Sequence, residues 1–122
     1  MATLARPIPP PKYLSKPAQA QWNSLLKILI QRKTIETGDL PAFLELIMAL
    51  DLCRQARETL HEEGLVVSGK YGPKNNPAAQ ILKDAQSTAM RLFLQFGLTP
   101  ASRNRAHQAE PPARDDPMQE FM

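Results

Sequence analysis

Apolar residues recur at helical spacing in three stretches of this chain, each bounded by residues that start or stop helices. In the first, Trp22, Leu25, Leu26 and Leu29 form one stripe that Ile28 and Ile30 widen, the 3.6-residue period of a helix with a buried face. Ser15 is placed to cap it, with Pro17 and Ala18 in the first turn. It should end near Lys33, since Thr34 to Gly38 turns β-branched and then reaches glycine. Asp39 and Pro41 open the second helix in the same way, and Gly64 closes it as a C′ residue. That is about 25 residues, or ~37 Å at the usual rise. Asn76 and Pro77 start the third, whose stripe is Ala78, Ile81, Leu82, Ala85, Ala89, Leu92, Phe93 and Phe96 before Gly97. Thr99 and Pro100 open a short last helix through Ser102, Arg103 and Arg105.

Leu65 to Gly72 has β-favouring residues on either side of a Ser-Gly break, so it is a short β-hairpin or a loop. A connection of about a dozen residues lets the second and third helices pack as a long antiparallel hairpin. The fold class expected is all-α: three main helices, a loop or β-hairpin at the tip, and disordered termini.

The second helix departs from ordinary amphipathicity. Between Phe43 and Cys53 only Glu45 and Asp51 are charged, and the apolar positions cover nearly the whole circumference. A helix apolar all round needs cover on more than one side, which three helices of one small chain struggle to provide. Beyond it, Arg54, Gln55, Arg57, Glu58, Glu62 and Glu63 return to a solvated surface. Burial of even a few such side chains is worth roughly 1.5–3 kcal/mol each, so the pattern points to self-association. The residues assigned to subunit contacts are Phe43, Leu46, Ile47, Leu50 and Leu60 on the second helix, with Leu92, Phe93 and Phe96 on the third. Some of these serve the intramolecular core.

Prolines and charge divide the chain further. Residues 1–14 form an extended arm with four prolines between Arg6 and Lys12, where helix and sheet ladders are both blocked. Residues 15–107 form the helical domain, assigned to oligomerisation and DNA binding. Residues 108–122 form an acidic tail with three prolines and no apolar periodicity, expected to be disordered. The tail carries −3 of a total of +3, so the rest of the chain carries +6. Its last residues, Pro117 to Met122, contribute three apolar side chains that suit either a docking segment or an unconstrained end. At 122 residues, 43% hydrophobic and 22% charged, the composition fits one ordinary globular domain with a modest core and floppy ends. No apolar run approaches the roughly 18 residues of a membrane span, and the N-terminus lacks the apolar core of a secretory signal. The lone Cys53 makes no internal disulfide. A small soluble intracellular protein, not associated with a membrane, is the expectation.

No catalytic, metal or cofactor site can be assembled. His61 and His107 lie far apart, and His61-Glu62-Glu63 lacks the second histidine of a zincin motif, with Leu65 in its place. Cys53 reads as a small buried hydrophobe. Asp115-Asp116 is a carboxylate pair in a proline-flanked tail that cannot hold fixed geometry, and no glycine-rich loop forms a nucleotide cradle. Basic residues, by contrast, gather at loops and helix ends where flexible cations neutralise phosphates. Those assigned to DNA are Lys27, Arg32, Lys33, Lys70, Lys74, Arg103 and Arg105. A helix-turn-helix of the first two helices would use the second as reader. It opens with Asp39, Leu40, Pro41, Ala42, Phe43, Leu44 and Glu45, with none of the Arg, Lys, Asn or Gln that mainly read base edges.

The run Phe96-Gly97-Leu98-Thr99-Pro100-Ala101-Ser102-Arg103 resembles the C-terminal signature of a family of bacteriophage terminase small subunits. The proline-rich arm, Tyr13-Leu14-Ser15, Trp22, Leu25-Leu26, Asp39 and the Gly69 to Pro77 loop follow the family's order, so the resemblance spans about residues 13–105. Asn76 stands where many relatives would have histidine. The resemblance implies a non-catalytic helical protein of the infected bacterial cytoplasm that assembles into a ring. It would bind double-stranded viral DNA and recruit or regulate the large terminase subunit, the carrier of ATPase and nuclease activity. The acidic tail would then contact that subunit. A dimeric helix-turn-helix transcriptional regulator is the rival reading, and a structural scaffold without DNA affinity the second.

Overall fold

The computed structural model describes residues 3–100. Three helices, α1 (Lys16–Gln31), α2 (Leu40–Glu63) and α3 (Pro77–Gln95), account for most of them. A two-stranded sheet of β1 (Val66–Gly69) and β2 (Gly72–Asn75) connects α2 to α3. The strands pair antiparallel from Val66 with Asn75 to Gly69 with Gly72. The Ser-Gly break is therefore a hairpin, with Lys70-Tyr71 at its tip.

Local chemistry sets the helix ends. The Ser15 hydroxyl accepts the Ala18 N–H at 3.2 Å, and the Asn76 side-chain carbonyl accepts the Ala78 N–H at 3.0 Å. At the far end of α1, Lys33 donates to the Ile30 carbonyl and Thr34 to that of Leu29, the Schellman pattern that satisfies a helix's last carbonyls. Lys33 takes the left-handed position at φ 57°, the one described non-glycine residue with positive φ. The same closure ends α3, where Gly97 at φ 69° and Leu98 donate to the Leu94 and Phe93 carbonyls. Asp39 behaves differently from a simple cap. It precedes α2 without capping it; its carboxylate accepts the Glu36 N–H at 2.9 Å across a single 3₁₀ turn, Thr37–Asp39.

The core lies where α1 crosses the first half of α2. Leu26, Leu29, Ile35, Phe43, Leu46 and Ile47 are wholly buried. The Phe43 ring meets Trp22 edge-on at 4.9 Å and Phe96 at 6.0 Å. At the opposite end of α2, Asn76 donates its amide to Glu63 and to the Gly64 carbonyl, so α3 runs back along α2. Small residues line that seam: Ala49, Cys53, Ala56, Ala78, Ala85 and Ala89 are all buried. Short side chains let the two helices approach closely, and the larger residues flanking the seam are left splayed outward.

The N-terminal arm is extended, as its prolines require, but it is not the floppy end expected. Leu4 donates to the Ile35 carbonyl at 2.8 Å, Thr3 bridges to Glu36, and the Trp22 indole donates to the Ile8 carbonyl at 2.8 Å. Leu4 also packs on the core. The last helix beyond Pro100, and the acidic tail, lie outside the described residues.

Candidate functional site

Among the described residues, no group of three or more His, Cys, Asp or Glu is placed to hold a metal. No helix there is long and apolar enough to cross a membrane. Cys53 is buried in the α2–α3 seam and His61 lies exposed in the last turn of α2. What the chain presents is surface, in two kinds.

The first kind is basic. Lys27, Arg32 and Lys33 are exposed around the C-terminus of α1, a helix without a single acidic residue. Arg32 reaches the Gly97 carbonyl at 3.3 Å, which ties this group to the end of α3. Lys70 and Lys74 are exposed on the β-hairpin. There Lys70 lies 5.6 Å from the centroid of the Tyr71 ring, which is 94% exposed. Gly69 fits this hairpin closely, since a Cβ there would come within 2.9 Å of both the Gly72 carbonyl and the Lys74 side chain. The two groups occupy opposite ends of α2, whose 24 residues span ~36 Å. The structure therefore does not gather the assigned cations into one patch. Arg103 and Arg105 lie outside the described residues.

The second kind is apolar. On one side of the α2–α3 seam, Met48, Leu52 and Ile81, each more than two-fifths exposed, line a groove of about 790 Å³ that Tyr13 borders. On the other, Leu50, Phe93, Met90 and Leu94 line a second groove of about 690 Å³. Of the residues assigned to subunit contacts, Phe43, Leu46 and Ile47 have no exposed surface. They are spent inside the chain, and their assignment to an interface is corrected. Leu92 is also buried, with Phe96 half-buried against Phe43. Leu50, Phe93 and Leu60 keep part of their surface. Nothing in the apolar pattern marks Met48, Leu52, Ile81, Met90 or Leu94 as surface. Their exposure depends on how closely the alanine seam lets α2 and α3 approach.

A polar network fixes the mouth of the first groove. Asp51 accepts from Ser15 at 2.9 Å, from Arg54 at 2.9 and 3.1 Å, and from Gln55 at 2.9 Å. Burial pushes the Asp51 carboxyl up, but the hydrogen bonds from Arg54, Ser15 and Gln55 outweigh it and hold it below the usual carboxylate value. Hydrogen bonding to Asp51 and Glu58 raises the Arg54 guanidinium in turn. The network staples the start of α1 to the middle of α2.

These features define a small, mainly α-helical protein whose exposed surfaces are cationic ends and apolar flanks. The family described as phage terminase, small subunit, matches residues 18–113. That is well over half of the chain, and the chain belongs to this family, with a role in phage DNA packaging. Searches of curated proteins and of solved structures return no match.

Proposed function

We propose that this chain is a non-catalytic packaging adaptor. Copies of it assemble into a ring, hold double-stranded viral DNA by its backbone, and recruit or regulate the large terminase subunit in the cytoplasm of the infected bacterium. The observation that carries this reading is the pair of open apolar grooves beside the α2–α3 seam, in a chain of this family. Contiguous apolar surface is seldom left wet on a soluble protein, and repeated copies of one chain are its simplest cover.

Lys27, Arg32 and Lys33 at one end and Lys70 and Lys74 at the other are the DNA contacts of this reading, joined by Arg103 and Arg105. Lys33 fits this reading as an exposed cation at the left-handed position that closes α1, a position where glycine would avoid a cost of roughly 1–2 kcal/mol. The tail of residues 108–122, being acidic, suits the large subunit better than DNA. Residues 3–14 brace the helices by lying across them. The helix-turn-helix alternative has little support, because the start of α2 turns Phe43 into the core and offers no base-reading group.

The test is a salt titration of binding to double-stranded viral DNA. Each phosphate neutralised contributes about 0.9 to the slope of log K against log salt. The Lys70→Ala/Lys74→Ala chain is expected to bind more weakly, with a slope shallower by about 2. A wild-type chain whose binding does not respond to salt would refute backbone binding, and an unchanged slope in the variant would remove the hairpin from it.

A further inference from the structure

The two apolar grooves differ in the charge at their rims. The first has Glu45 and Asp84, which make no ion pair among the described residues, Asp84 accepting only from the neutral Gln80 amide. Asp51, by contrast, is committed to Arg54, Ser15 and Gln55. No cation lines it. Arg57, Lys83 and Arg91 rim the second, and no acid lines that one. Glu45, Asp84, Arg57, Lys83 and Arg91 are all exposed. The basic three make no ion pair among the described residues. The grooves share no lining residue, and they flank opposite sides of one helix pair.

From this we infer that copies of the chain associate head to tail, the acidic-rimmed groove of one copy receiving the basic-rimmed flank of the next. The inference rests on the proposed self-association and specifies its polarity and the surfaces used. An interface between two different faces of the same molecule propagates from copy to copy, and closes into a ring when the rotation permits. Two alternatives fit the surfaces less well. DNA suits the cations of the second groove but not the apolar floor of Met90, Phe93 and Leu94. The chain's own acidic tail suits that groove but is repelled by Glu45 and Asp84, so it leaves the first groove wet. One contact between copies covers both grooves of every chain and sets the two acids of one rim against the three cations of the other.

The experiment uses two full-length charge-reversal variants, Glu45→Arg/Asp84→Arg and Arg57→Glu/Lys83→Glu/Arg91→Glu, with circular dichroism to establish that each folds. Each alone is expected to weaken association at least tenfold, because a reversed rim meets its like. Mixed in equal amounts they are expected to reassociate, since each retains the face the other lacks. If either variant alone keeps the wild-type mass, or if the mixture fails to reassociate, the head-to-tail pairing is wrong while wild-type assembly stands. If the second variant keeps its mass and loses DNA instead, the basic flank is a nucleic-acid surface. If deletion of Gln108 to Met122 alone dissociates the wild type, the tail is the occupant. A monomeric wild type overturns this inference together with the assembly beneath it.

Discussion

Asn76 joins the end of α2 to the start of α3 through three side-chain hydrogen bonds. Its carbonyl caps α3, while its amide holds Glu63 and the Gly64 carbonyl at the end of α2, and it is 3% exposed. Replacement by alanine removes the cap and strands buried backbone groups, each effect being of order 1 kcal/mol or more. Urea unfolding of Asn76→Ala should therefore show a loss of about 1–3 kcal/mol; an unaffected midpoint would show that the junction bears no load. Asp51 makes a prediction in pH. Its carboxyl is lowered in the fold from the ordinary 3.8, so its network stabilises the protein above that value. The contribution disappears as pH falls through the lowered one. Wild type and Asp51→Asn should differ most in urea midpoint at neutral pH and converge in strong acid. A gap that persists there would point to packing instead of charge.

Caps and breakers made the helices legible. Ser15, Asn76, Gly64 and Gly97 each do at the backbone what their chemistry announces in the sequence, so the three helices begin and end within a residue or two of where they were expected. Asp39 shows the limit: its position is right, but a 3₁₀ turn fixed by the packing of Ile35 and Phe43 redirects its carboxylate to Glu36. The arm shows a second limit. Four prolines predict an extended segment, yet only the folded protein shows that Trp22 lies beneath Ile8 with an indole N–H to donate. Trp22→Phe keeps a ring against Phe43 and loses that bond, worth about 1 kcal/mol. Trypsin should then cleave after Lys12 faster than in the wild type, with little change in global stability. Equal cleavage rates would mean that the arm is held by its other contacts alone.

At the scale of the molecule, the sequence pointed to a surplus of apolar surface on the second helix but not to where that surplus would emerge. The strongest apolar positions, Phe43, Leu46 and Ile47, were natural choices for an interface, and the fold consumes them against α1 and α3. The surplus comes out at Met48 and Leu52, on another face of the same helix, and at Ile81, Met90 and Leu94 on α3. The rim charges were hidden by their sequence neighbours. Lys83 adjoins Asp84 and Arg57 adjoins Glu58, so the pairs look neutral. Successive residues on a helix stand about 100° apart, and Lys83 and Asp84 consequently face different grooves. The family match and the open grooves together support one account: a packaging subunit whose fold is completed by copies of itself. Sedimentation equilibrium of the full-length chain tests that most directly. A mass of several 13.6 kDa chains, held on dilution into the low micromolar range, is the result expected. A single folded chain at high concentration would contradict the account.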